Sequence, residues 1–218
     1  MNNQTTFYIV RHGESESNVL GHINEIKLEF GSNLTEKGKA QAQNLANKLK
    51  YINFDSVYSS DLNRAKQTAQ IIALTKKNEV VTSNLIRERD FYQYAVKINK
   101  DKNILIEELV NDLKLLDEKG KLQYKHSPLM ESAEEGAQRL LNFIKQTTNT
   151  HKGKTALVVV HGNIMRSLLT YLGYAKYDEL PSGTVENTGY FLLTTDGINF
   201  SVEKTYRIHK QYGKVRNY

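Results

Sequence analysis

The sequence predicts a three-layer α/β/α sandwich, with a mostly parallel central sheet and an antiparallel C-terminal edge. Three observations predict it. Strand-like apolar runs alternate with helix-period segments over most of the chain. The run Thr155-Ala156-Leu157-Val158-Val159-Val160 is apolar from Ala156 onward, the pattern of a parallel strand covered on both faces. Near the end, two strand-like runs flank Asp196-Gly197, a hairpin signal.

Residues 5–10 read as a short strand rich in Phe, Tyr, Ile and Val. The polar segment 13–33 follows, and stretches of that length are often functional or partly helical. Thr35 caps the next helix, with Glu36 at the positive end of its dipole and Ala42, Leu45, Ala46 and Leu49 as its apolar stripe. Residues 54–58 predict a second strand, and Ser59-Ser60-Asp61 a cap for the helix after it. Leu62, Ala65, Ala69 and Ile72 form the buried face of that helix and leave Arg64 off it. A cation in a first helical turn opposes the dipole, so Arg64 needs a reason.

Residues 79–82 predict a third strand, followed by Leu85-Ile86-Arg87-Glu88-Arg89-Asp90. Segment 91–130 breaks the alternation. It carries Phe91, Tyr92 and Tyr94, the basic Lys97, Lys100 and Lys102, and one helix with Ile106, Leu109, Val110, Leu113 and Leu116 at helical spacing. It reads as a helical cap inserted over the sheet edge, within a single domain spanning 1–218. Ser132-Ala133-Glu134-Glu135 is a capping box that opens a helix with Ala137, Leu140, Leu141 and Ile144 inward. Strand 155–160 ends in His161-Gly162-Asn163. A helix starts there, with Met165, Leu168, Leu169 and Leu172 inward and Gly173 as its C-cap. Residues 189–194 and 200–206 are the hairpin strands.

Composition narrows the function. The chain has 218 residues, which suits one α/β domain. It has no Cys, which excludes disulfides, thiolate nucleophiles and Cys-ligated zinc. No basic segment followed by an apolar run opens the chain, and no apolar run approaches the ~20 residues that span a bilayer. The expectation is a cytoplasmic protein without membrane partners. The net charge of +6 draws anions, but no basic-aromatic motif for nucleic acid is present. Lys204, Arg207, Lys210, Lys214 and Arg216 read as a solvated basic tail.

The reactive residues sit at strand ends. Phe7-Tyr8-Ile9-Val10 runs into Arg11-His12-Gly13-Glu14, and Val160 into His161-Gly162. If both strands are central and parallel, both imidazoles emerge at the sheet edge where open α/β proteins bind ligands. The glycines let backbone approach a ligand closely. Arg11 and Arg64 add fixed cations, and helix N-termini aim N–H groups at the same place. Such a site suits a phosphate dianion. His12 is the candidate nucleophile, with a phosphohistidine splitting a difficult hydrolysis into two steps. Glu88 is the candidate proton donor to the leaving alkoxide, since neighbouring negative charge makes a carboxyl hold its proton. Glu14, Asp61 and Thr68 read as structural.

With these motifs in view, the sequence resembles the histidine phosphatase superfamily, also called phosphoglycerate mutase-like. The likeness runs from about residue 6 to about residue 195. It rests on Arg11-His12-Gly13-Glu14 with Asn18, Leu34-Thr35-x-x-Gly38 and Ser59-Ser60-Asp61-Leu62-x-Arg64-Ala65-x-x-Thr68-Ala69. It also rests on Leu85-x-Arg87-Glu88-Arg89, Glu131-Ser132, and Val160-His161-Gly162 with Arg166. The resemblance implies phosphoryl transfer without metal or cofactor, with His12, Glu88 and His161 catalytic. Arg11, Asn18, Arg64 and the Gly162 backbone would bind the phosphate. The chain departs from the family in its cap. Phe91-Tyr92-Gln93-Tyr94-Ala95-Val96 lacks the Phe-Gly and Glu-Gly that many members have, and Pro128-Leu129-Met130 replaces Pro-Gly-Gly. The Arg-His-Tyr-Gly stretch of true phosphoglycerate mutases is also missing. These differences bear on substrate choice and favour hydrolysis.

The expected function is thus a metal-independent phosphomonoester hydrolase acting on a small phosphorylated metabolite. A phosphoglycerate mutase and a non-catalytic phospho-ligand-binding module are the alternatives. No motif bears on assembly, which leaves a homodimer open.

Overall fold

The computed structural model describes residues 4–20, 32–74, 78–89 and 102–212. Six strands form one sheet: β1 (Thr5–Arg11), β2 (Ser56–Ser60), β3 (Val80–Ser83), β4 (Thr155–Val160), β5 (Val185–Thr195) and β6 (Phe200–Ile208). Their spatial order is β3-β2-β4-β1-β5-β6. The first four are parallel, β5 runs antiparallel to its neighbour β1, and β6 runs antiparallel to β5. All-apolar β4 lies between β2 and β1, buried from Ala156 to Val160 as its composition demands.

The two faces of the sheet carry separate cores. On one, α2 (Glu36–Lys48) and α3 (Asn63–Leu74) pack Leu45, Ala46, Ala65, Ala69 and Ile72 onto Val10, Leu157 and Val159. On the other, α6 (Ala133–Thr150) and α7 (Gly162–Tyr171) pack Ala137, Leu140, Ile144, Met165 and Leu168 onto Phe7, Ile9, Ala156 and Val158. The period of two along β1 and β4 sends alternate side chains to the two cores. Thr35 caps α2 by accepting from Gly38 N at 3.0 Å, a cap of about 1 kcal/mol. Ser132 and Glu135 form both bonds of the predicted capping box of α6.

Several expectations change. The second strand is Ser56–Ser60, two residues later than predicted, so Ser59 and Ser60 are strand residues. Both are fully buried, and α3 begins only at Asn63. Arg64 lies on the buried face of α3, not off it. The basic tail is partly built in: Lys204 and Arg207 belong to β6, and Arg207 pairs with Glu186. The chain also forms a short helix α1 (Glu16–Leu20) within the polar segment. In the cap region, α4 (Lys102–Lys114) and a second helix α5 (Glu118–Gln123) replace the one expected. Leu109 is buried, while Leu116 lies beyond the end of α4. Helix α5 packs on α6 and α7, and Lys121 pairs with Asp178 in the turn Tyr177–Glu179. The aromatic run Phe91, Tyr92 and Tyr94, and Lys97 and Lys100, lie outside the described residues. Among the described residues, no helix is long and apolar enough to cross a membrane.

Candidate active site

Strands β1 and β4 pair with Arg11 opposite Val160. The next residue on each strand is a histidine, so His12 and His161 leave the sheet at one level. Their ring centroids are 5.1 Å apart, with the planes at 62°. Arg64 reaches the same point from α3, its Nε donating to His12 Nε2 at 3.1 Å. That contact supplies the reason for a cation at the start of a helix.

The tautomer of His12 follows from its partners. Nδ1 lies 2.7 Å from the Gly13 carbonyl oxygen, which can only accept, so Nδ1 carries the proton. In the neutral ring Nε2 then holds the lone pair, as the Arg64 donor requires. Gly13 is placed by two contacts. Its N–H donates to Thr68 Oγ1 at 3.0 Å, and Thr68 in turn donates to the Arg64 carbonyl at 2.7 Å. A Cβ on Gly13 would lie 2.5 Å from the Gly38 carbonyl oxygen, and one on Gly38 would lie 1.9 Å from that of Glu14. Only glycine at both positions lets the turn after β1 lie on the first turn of α2. Glu14 secures that contact, accepting from Thr35 at 2.9 Å and from Lys37 at 2.7 Å.

His161 is fully buried, and neither ring nitrogen has a hydrogen-bond partner among the described residues. Burial, followed by the electrostatic influence of Arg64, His12, Arg11 and Arg139, pushes its pKa well below the usual 6.5. Its imidazole is therefore neutral at pH 7. An unpartnered buried ring is costly, and an incoming anion both satisfies it and reverses the electrostatic sign.

Arg11 donates from Nη1 to the Val185 carbonyl at 2.6 Å, while its buried Nε has no partner among the described residues. Burial lowers the Arg11 pKa, Glu88 opposes that shift, and Arg64 adds to it. A Cβ on Gly162 would lie 3.2 Å from Arg11 Nε and 3.4 Å from its Cδ. The glycine thus gives the guanidinium room at the start of α7.

Glu88 follows β3 after the short turn Asn84–Ile86. Its Oε1 accepts from Ile164 N at 2.8 Å and from its neighbour Arg89 N at 3.0 Å, and its Oε2 accepts from Asn163 N at 3.0 Å. The carboxylate therefore sits on the N-terminus of α7, beside His161. Arg139 of α6 fixes the segment from behind. It donates to both Glu131 oxygens at 2.7 and 2.9 Å, and to the carbonyls of Leu85 at 2.7 Å and Arg87 at 3.1 Å. Asp61 adds a two-pronged bond with Arg87, at 2.7 and 2.6 Å.

Asn18 lies at the rim. Its Oδ1 accepts from Ser15 N at 3.1 Å and Ser15 Oγ at 3.2 Å, so it closes a turn. It also accepts from Asn187 Nδ2 at 3.3 Å, and the same Nδ2 donates to the His12 carbonyl at 3.1 Å. Asn187 escaped the sequence reading, which placed the β5 strand at 189–194. The neighbouring Thr188 has φ 59°, a left-handed conformation costing a β-branched residue roughly 1–3 kcal/mol. Arg166, another residue of the matched motifs, donates to the Leu180 carbonyl and to Asn163 Oδ1.

The structure thus brings His12, His161, Arg11, Arg64, Gly162 and Glu88 to the carboxyl edge of the sheet, with Asn18 at the rim. Among the described residues, no group of three or more His, Asp or Glu side chains could hold a metal ion. Two guanidinium groups and two imidazoles can take a tetrahedral dianion, and His12 Nε2 can attack it once Arg64 Nε turns from the ring to the anion.

A fold and site of this kind define an α/β protein of the phosphoryl-transfer class. The chain belongs to the histidine phosphatase superfamily, branch 1, whose family model matches residues 7–207. It is 28% identical over 196 residues to a putative phosphoserine phosphatase 2 of Hydrogenobacter thermophilus, covering 87% of this chain and 89% of that one. It is 32% identical over 173 residues to phosphoglycerate mutase-like protein 4 of Arabidopsis thaliana, covering 73% and 67%. In fold it is similar to a phosphoglycerate mutase from Bacillus anthracis, with a TM-score of 0.71 at 24% identity over 95% of this chain and 94% of the other. The protein is therefore an enzyme of the histidine phosphatase and phosphoglycerate mutase-like type.

Proposed function

We propose that the enzyme hydrolyses phosphomonoesters of small metabolites through a phosphohistidine on His12. The observation that carries this reading is the His12 ring, held by Gly13 and Arg64 and set 5.1 Å from the ring of His161, with three nitrogens of two side chains, His161 Nδ1, His161 Nε2 and Arg11 Nε, lacking a partner among the described residues. In the first step Nε2 forms a bond to phosphorus as the ester P–O bond breaks, and Glu88 gives its proton to the leaving oxygen. In the second, water attacks the phosphorus, Glu88 takes the water proton, and the P–N bond breaks to release phosphate. Arg11, Arg64 and His161 stabilise the equatorial oxygens in both steps. The neutral imidazole of His12 supplies the nucleophile, so no metal is needed.

Purified protein in excess EDTA should hydrolyse p-nitrophenyl phosphate, with alkali-stable phosphate trapped on His12. His12→Ala should lose at least about 1000-fold in kcat. An active His12→Ala enzyme, or strict metal dependence, would sink the proposal. The relative named as a phosphoglycerate mutase-like protein motivates a second reading, transfer between hydroxyls. Incubation with 3-phosphoglycerate, with and without 2,3-bisphosphoglycerate, separates the two: hydrolysis releases phosphate, and mutation releases the isomer.

A further inference from the structure

The main chain of the nucleophile is gripped by a distorted stretch of β5, and we infer that Asn187 is the positioning residue of that stretch. The inference rests on the reading of His12 as nucleophile. Pairing between β5 and β6 slips register between Val185 and Tyr190, and the β1–β5 ladder ends at Val10 opposite Tyr190. The His12 carbonyl lies beyond that ladder. Regular pairing is replaced there by two donors, Asn187 Nδ2 at 3.1 Å and Thr188 N at 3.3 Å.

Val185, Glu186, Asn187 and Thr188 of the slipped stretch are each engaged. The Val185 carbonyl accepts from Arg11. Glu186 is anchored to β6 by Arg207, at 2.9 and 2.6 Å, and then by His209 at 2.7 Å. Asn187 joins the His12 carbonyl to Asn18 Oδ1. Buried Thr188 adopts its left-handed conformation and donates from its hydroxyl to the Asn187 carbonyl at 2.6 Å. A strained residue that persists inside such a set of contacts marks a stretch held to one geometry by its surroundings. Asn187 contacts the His12 backbone and not its ring, so its effect passes through the direction in which Nε2 points. Misdirection of an attacking atom lowers the rate of the chemical step more than it lowers affinity.

The experiment compares Asn187→Ala with Asn187→Leu, which keeps the branching of the side chain but removes both donor contacts. The readouts are kcat and KM for p-nitrophenyl phosphate, the single-turnover rate of His12 phosphorylation after an alkaline quench, and Tm. Both variants should lose about tenfold in kcat and in phosphorylation rate, with KM within about twofold of wild type. Wild-type rates in Asn187→Leu would overturn the inference by making Asn187 a packing residue. A raised KM with unchanged kcat would overturn it too, by making Asn187 a binding residue. Loss of rate only in proportion to a fall in Tm would reduce Asn187 to a structural support. A wild-type protein inactive on every phosphomonoester tried would instead refute the hydrolase reading, leaving no nucleophile to position.

Discussion

His12 and His161 occupy matching places: each follows the last paired residue of neighbouring parallel strands, and each precedes a glycine. Their surroundings nonetheless differ completely. His12 has a carbonyl on Nδ1 and a guanidinium on Nε2, whereas the His161 nitrogens meet no partner among the described residues. The chain after each residue explains the contrast. Gly13 lies in a turn held against Gly38, so its carbonyl is free to face the His12 ring. Gly162 is the first residue of α7, so its carbonyl points down the helix and offers His161 nothing. One ring is oriented by both its nitrogens, with its lone pair on Nε2 facing the Arg64 guanidinium. The other is kept neutral by burial and by surrounding cations until an anion arrives. The same local signal, a strand running into His-Gly, therefore yields two roles, decided by whether a helix starts at once.

The largest test of this contrast is His161→Asn. It should cost about 100-fold in kcat/KM, the scale of losing one group that stabilises developing charge, and still yield trappable phosphohistidine on His12. Failure to trap any would give both rings equal standing. Gly162→Ala should act less strongly and through Arg11, whose Nε the new Cβ would crowd at 3.2 Å. Inhibition by inorganic phosphate should weaken by about fivefold to tenfold, the worth of one impaired charge-assisted bond. An unchanged inhibition constant would remove the Arg11 Nε from the phosphate pocket.

The smallest effect is on stability. His161 has a folded-state pKa below the ordinary 6.5, so the unfolded chain takes up the proton first. The stability contributed by its neutral form is whole above pH 6.5 and falls as the pH drops below it, by up to about 1.4 kcal/mol per pH unit. Urea unfolding at pH 7.0 and 5.5 should show this slope in wild type and a flatter one in His161→Asn. Equal slopes would mean that folded His161 accepts a proton.

Much of the architecture was legible because single segments encode it. The apolar run at 155–160, the Ser132–Glu135 capping box and the Asp196-Gly197 hairpin each carry their signal within a few residues. The site residues at strand ends were legible for the same reason. What escaped was determined between distant segments. Arg64 is buried because His12 needs a donor, which the pattern of its own helix cannot reveal. Ser59 and Ser60, short polar residues that suit a cap, are buried in the sheet because β3 and β4 extend that far on either side. The distortion at Asn187 and Thr188 had no signal at all: a Thr with positive φ contradicts its own propensity and is sustained by β1 and β6.

The bracing of residues 85–89 has an evolutionary consequence. Arg139 ties the carbonyls of Leu85 and Arg87 to Glu131, and the α7 N–H groups hold Glu88 from the other side. Glu88 therefore owes its position to Glu131, Arg139 and the start of α7, all of them later in the chain. A change at Glu131 or Arg139 would therefore reach Glu88 from a distance, which constrains these bracing positions together with the site they brace.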